Sequence, residues 1–150
     1  MNYYKQETTY TCGPACMRML LSAIGIHRKE RTLARALRAN KNTGTHEKNF
    51  VQYSHDKLKI EYFSFIGATL EDIKKRLKEY VVMICFRDGE VGHYAVVRKI
   101  GTKYITLADP GNGDYYKVEL AEFSHKWKDE YFGREKNWAF GIKKVLDNQI

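Results

Sequence analysis

The sequence predicts an α+β fold in one domain spanning residues 1–150, with helices in the first half packed on an antiparallel sheet formed by the second. Two observations carry this. Up to about residue 58, apolar residues recur every three or four positions, the period of a helix with one buried face. Beyond residue 80 the period changes, and β-branched and aromatic runs alternate with short glycine turns, the pattern of hairpins. Helices followed by strands indicate α+β rather than an alternating parallel sheet.

Taken in order, Cys16, Met19, Leu20 and Ala23 line one face of a helix from Cys12 to about Ile24, with Gly25 as its C-terminal cap. Pro14 falls in the first turn, where the amide it lacks has no partner anyway. A second helix is expected over Glu30–Ala39, a loop over Asn40–Lys48 and a short helix over Phe50–Leu58. Ile60–Phe65 alternates like a strand. Thr69 then opens a helix to about Tyr80, with Glu71 and Asp72 in its first turn. Val81–Phe86, His93–Ile100 and Lys103–Ala108 read as strands turning at Asp88-Gly89 and Gly101-Thr102. Strands at Tyr115–Val118 and Trp138–Val145 flank a helix over Glu119–Trp127.

A chain of 150 residues buries roughly 68–70% of its unfolded surface, so it needs neither disulfide nor metal to fold. Its five histidines, His27, His46, His55, His93 and His125, and its three cysteines do not fall at zinc-ligand spacing, and no cofactor is expected. No glycine-rich phosphate loop follows a strand. The N-terminus lacks the apolar stretch of a signal peptide and no apolar run approaches the ~18 residues that span a membrane, so a cytoplasmic protein is expected. Three cysteines leave at least one thiol unpaired. The net charge of +8 suits a solvated surface or attraction to an acidic partner. The basic stretch Arg28–Lys41 has no interleaved aromatics and matches no nucleic-acid signature, so nucleic acid is not an expected partner.

Four residues can be assembled into a chemistry. Cys12 stands at a helix start, where the dipole and unpaired amides favour the thiolate, the nucleophilic form. Cys16 and Cys85 sit among apolar neighbours and read as core. His93 begins a strand and Asp109 ends the next. In a hairpin turning at Gly101-Thr102 the two face each other at the open end, where a carboxylate fixes the tautomer of an imidazole and stabilises its cation. Gln6 can donate an amide hydrogen to a developing oxyanion beside the Cys12 N–H. The residues alone reach a candidate Cys–His–Asp site.

The segment Gln6–Ala15, with its Cys12-Gly13-Pro14-Ala15 helix start, resembles the opening of the bacteriocin-processing peptidase family. These are papain-like domains at the N-terminus of peptide-exporting ABC transporters. Gly92–Val97 is similar to that family's histidine motif and Ala108-Asp109-Pro110 to its aspartate motif. The intervals of 6, 81 and 16 residues between Gln6, Cys12, His93 and Asp109 also fit, and Glu119–Trp127 resembles the family's ending. The resemblance implies a papain-like fold and a cysteine peptidase with Cys12 as nucleophile, His93 as base, Asp109 as orienting residue and Gln6 in the oxyanion hole. It implies a peptide or protein substrate, such as a leader peptide cut after Gly-Gly or other small residues, and association with a separate exporter. Two departures are plain: Thr11 stands where exporter-fused members commonly carry an acid, and the exporter's membrane and ATPase regions are absent, so a stand-alone relative is expected. An acyl-transferring enzyme on the same fold and a peptide-binding module without turnover are the alternative readings.

Overall fold

The computed structural model describes residues 1–89, 91–128 and 137–145. Helix α1 (Cys12–Ser22) is followed by α2 (Glu30–Ala36) and α3 (Glu47–Gln52), which runs on as a π-helical segment, Tyr53–Leu58. Strand β1 (Tyr62–Phe65) and helix α4 (Leu70–Arg76) lead into β2 (Tyr80–Asp88), β3 (Val91–Ile100), β4 (Tyr104–Asp109) and β5 (Gly113–Glu119). Helix α5 (Leu120–Lys128) and strand β6 (Ala139–Lys143) follow. The strands form one sheet in the order β1-β6-β2-β3-β4-β5, every neighbour antiparallel.

Strand alternation gives the sheet two apolar faces. On one, Met83, Cys85, Tyr94, Val96, Trp138 and Phe140 pack against Met17, Met19, Leu20 and Leu33 of α1 and α2 and against Phe50 of α3. On the other, Val82, Ile84, Phe86, Ala95, Val97 and Leu107 meet Ile73 of α4 and Phe123 and Trp127 of α5. The expected α+β architecture is therefore present, with the helical first half covering one face.

Boundaries shift where local chemistry overrides periodicity. Helix α2 stops at Ala36 because the chain turns left-handed at Arg38, with φ 57°. The expected loop ends early: His46 caps α3 by accepting the Lys48 N–H, which draws Glu47 and Lys48 into the helix. Thr69 caps α4 as expected, and the structure shows it in a capping box with Asp72. No described helix is long and apolar enough to cross a membrane.

Candidate active site

The hairpin that carries His93 and Asp109 has a different register from a two-residue turn at Gly101-Thr102. Ile100 pairs with Ile105 across a longer loop, and an extra residue at Arg98 bulges β3 before Val97 pairs with Leu107 and Val96 with Ala108. Continued one step, this register sets Asp109 opposite Ala95, so His93 is its diagonal neighbour on the same face. Diagonal neighbours remain within reach of long side chains. His93 Nε2 meets Asp109 Oδ1 at 2.5 Å.

Asp109 is fully buried, and the turn after it supplies its remaining donors. The backbone N–H groups of Gly111 and Asn112 reach Oδ1 at 2.8 and 2.9 Å, and the Asn112 side chain donates to Oδ2 at 3.0 Å. Burial alone would raise this carboxyl; the bond and charge of His93, with the Asn112 donors, outweigh it and hold the group below its ordinary value. The Tyr3 hydroxyl donates to the Asp109 carbonyl at 2.6 Å and the Gln6 N–H to the Pro110 carbonyl at 2.9 Å. These two bonds lash the N-terminal segment to the turn that holds the carboxylate.

His93 is largely buried, its side chain 13% exposed, and its ring meets Phe86 edge-on with centroids 5.7 Å apart. Burial would depress an imidazole. Hydrogen bonds to Asp109 and to Cys12, with the charges of both, override it and raise His93 to about 10. Since Asp109 holds Nε2, Nδ1 is the nitrogen left for the Cys12 sulfur.

Cys12 is the first residue of α1 and half-buried. Gly13 lets the segment at Thr45 come close behind it: a Cβ there would stand 2.9 Å from Thr45 Oγ1 and 3.0 Å from the Phe50 ring. The other two thiols differ. Cys16 is buried, and burial, then the neighbouring Cys12, Asp109, Cys85 and Glu30 charges, push it well above its ordinary value, which keeps it a neutral thiol in the core. Cys85 faces the same core.

The Gln6 carboxamide lies against this assembly. A Cβ on Gly111 would be 3.2 Å from both Gln6 Oε1 and His93 Cε1, so amide and ring approach each other over a bare glycine. Gln6 Nε2 donates to the Thr8 carbonyl at 2.7 Å, which fixes which end of the amide is nitrogen and leaves its second hydrogen for another acceptor.

A cleft of about 120 Å³ opens beside Cys12, walled by Tyr10, Lys41, Thr45, Gly92 and Tyr94. It is small beside the roughly 300–1,000 Å³ of ordinary ligand pockets. Of the basic residues in the segment Asn40–Lys48, Lys41 lines it, whereas Lys48 lies on α3 and His46 caps that helix.

The site can be set beside known proteins. A sequence profile of the peptidase C39 family matches residues 1–137, most of the chain. The chain belongs to the peptidase C39 family. An uncharacterized protein of Methanothermobacter marburgensis is 30% identical over 109 residues, 73% of this chain and 71% of that protein. Among solved structures, the chain is similar to the peptidase domain of Streptococcus ComA, a bi-functional ABC transporter involved in quorum sensing. There the TM-score is 0.76 at 19% identity, covering 95% of this chain and 98% of that domain. It is also similar to a double glycine motif protease from an AMS/PCAT transporter, solved in complex with its leader peptide. There the TM-score is 0.71 at 18% identity, covering 96% and 91% of the two chains. At these identities the likeness speaks for the papain-like fold.

For this C39 chain the structure joins His93 to Asp109 by a hydrogen bond, brings Cys12 close enough to act on the same ring, and sets Gln6 against them. Sequence reading missed the residues that hold this arrangement. Asn112 and Gly111 were signalled by the run Asp109-Pro110-Gly111-Asn112-Gly113, in which an aspartate commonly accepts backbone bonds from the following turn. Tyr3 and Glu30, brought in by tertiary packing, had no local signal.

Proposed function

We propose that this protein is a cysteine peptidase that hydrolyses a peptide bond through Cys12, His93 and Asp109, with Gln6 completing the oxyanion hole. The observation that carries the reading is the imidazole of His93, bound through Nε2 to a buried carboxylate and near enough to Cys12 to be raised by it. With His93 raised to about 10, the ring is a strong enough base to take the Cys12 proton as the sulfur attacks.

The thiolate adds to the scissile carbonyl carbon, and the carbonyl electrons move onto oxygen. The Cys12 N–H and the second hydrogen of Gln6 Nε2 stabilise that oxyanion. As the C–N bond breaks, His93 gives its proton to the leaving amine and a thioester remains on Cys12. Water, deprotonated by His93, then attacks the thioester and frees the acid and the thiol. Asp109 keeps one tautomer and stabilises the imidazolium throughout.

The narrow cleft supports cleavage after small residues, with Gly-Gly the leading choice. Incubation with a peptide library containing Gly-Gly sites, read by mass spectrometry, should yield paired products cut after small residues. The new carboxylate should take oxygen from water; incorporation of an added amine instead would mark an acyl transferase. A library left intact would contradict the reading. Gln6→Ala should lower kcat on the order of 10²–10³-fold, the scale of one lost oxyanion donor, and a change confined to KM would make Gln6 a substrate-binding residue instead.

Lys41 gives the cleft one basic wall. Lys41→Ser should reduce kcat/KM for a peptide with acidic residues near the cut more than for its neutral counterpart. The difference should shrink as salt brings the Debye length to about 8–10 Å. Equal responses of the two peptides would exclude selection by charge at Lys41.

A further inference from the structure

The segment from Gln6 to Thr11 carries the proposed oxyanion glutamine up to the nucleophile, yet it forms no helix or strand of its own. A carboxylate from outside every motif holds it. Glu30, the first residue of α2, is 2% exposed. Its Oε2 accepts from the Glu7 N–H at 2.8 Å and from the Thr11 hydroxyl at 2.9 Å. Thr11 Oγ1 accepts in turn from the Thr8 N–H at 3.2 Å and lies 2.7 Å from the Thr8 hydroxyl. Because the one hydroxyl hydrogen of Thr11 goes to Glu30, the Thr8 hydroxyl is the donor in that pair. Donors at 7 and 11 therefore run to one carboxylate, and those of Thr8 reach it through the Thr11 hydroxyl.

The network also redirects a helix cap. Thr11 occupies the N-cap of α1, where a threonine ordinarily accepts an N–H from the first turn. Here its side chain makes no capping bond. Pro14 has no N–H to offer in that turn, and the hydroxyl is turned to Glu30, away from the end of the helix where an oxyanion would gather its donors. Meanwhile Glu30 Oε1 is buried with no hydrogen-bond partner among the described residues. Burial raises this carboxyl, against the opposing bonds from Glu7 and Thr11. A half-satisfied buried carboxylate is unfavourable and calls for a role beyond packing.

We propose that Glu30 is the positioning residue of the oxyanion hole: by fixing Glu7 and Thr11 it sets the Gln6 carboxamide relative to the Cys12 N–H. This rests on the peptidase reading above. An error of about 1 Å in such an alignment lowers rate by about 10²-fold, and the loss falls on kcat because the interaction forms only in the transition state.

The test is kcat and KM for Glu30→Ala, Glu30→Gln and Thr11→Val, each made alone and with Gln6→Ala, on the Gly-Gly peptide that wild type cleaves fastest. Glu30→Ala should lower kcat by about 10²-fold with KM nearly unchanged. Glu30→Gln, whose carboxamide oxygen still accepts from Glu7 and Thr11, should restore most of that loss. Thr11→Val, which keeps the shape and removes one donor, should lower kcat about tenfold and carries the test if Glu30→Ala does not fold. In the Gln6→Ala background the further loss from Glu30→Ala should fall below about tenfold, because coupled residues are not additive. Equal losses with and without Gln6, an effect on KM alone, or an unchanged kcat in folded Thr11→Val would overturn the proposal. An inactive wild type would overturn the peptidase reading beneath it, whereas active wild type with unaffected Glu30 and Thr11 variants would overturn this proposal alone.

Discussion

Cys12→Ala should abolish turnover, by on the order of 10⁶-fold, the scale on which loss of a protease nucleophile has its effect. No neighbouring group can take its place: Cys16 is buried in the core and held as a neutral thiol, and Cys85 faces the same core. Stability should change little, since Cys12 is only half-buried at the first position of α1, while the apolar face of that helix begins at Ala15 and Cys16. A second readout is independent of substrate. His93 is raised to about 10 in part by its bond to Cys12, so its titration, followed by NMR, should move down in the variant. Turnover at the wild-type rate would refute the nucleophile assignment.

Asp109→Asn should lower kcat/KM by on the order of 10³–10⁴-fold, the upper figure being the scale of a wrongly held tautomer. The reason lies in the donors around the carboxylate. Oδ1 accepts from His93, Gly111 and Asn112, and Oδ2 from the Asn112 side chain. A carboxamide that keeps its oxygen at Oδ1 sets its NH₂ against the Asn112 NH₂ and removes the negative charge beside the ring. Turned over, it meets three donors with a fourth.

The pH profile should shift as well. In wild type His93 is raised above its ordinary 6.5 to about 10. The imidazolium is therefore complete below pH 6.5 and is lost only as pH rises through the higher value, which places the alkaline limb of kcat/KM far above 6.5. Without the Asp109 charge that limb should move down. A wild-type limb centred near 6.5 would show that the His93–Asp109 bond does not operate in solution.

How much of this was legible in the sequence depends on how local each signal is. Helix α1, the Thr69 capping box and the strands around His93 and Asp109 were readable because periodicity, caps and turns act within a few residues. The four candidate residues were readable because their motifs stand in family order. The pairing of β6 between β1 and β2 was not, since it joins segments about 60 to 80 residues apart and leaves no local trace. The bulge at Arg98 escaped notice, because one inserted residue preserves the composition of a strand while shifting its register. For that reason His93 and Asp109 were expected directly opposite and instead meet on the diagonal. Glu30 was read only as the start of a helix. Its burial follows from α2 packing on α1 and on the segment before Cys12, which no periodicity in α2 discloses.

The most direct test of covalent catalysis at Cys12 is to catch the acyl group on its sulfur. An activated ester of the acyl half of the best-cleaved peptide makes acylation fast, so the intermediate accumulates. Acid quenching during turnover, digestion and mass spectrometry should find that acyl mass on the peptide containing Cys12, and none there when His93 is replaced by Ala. Steady turnover with Cys12 never acylated, or with the acyl group on another residue, would contradict the account.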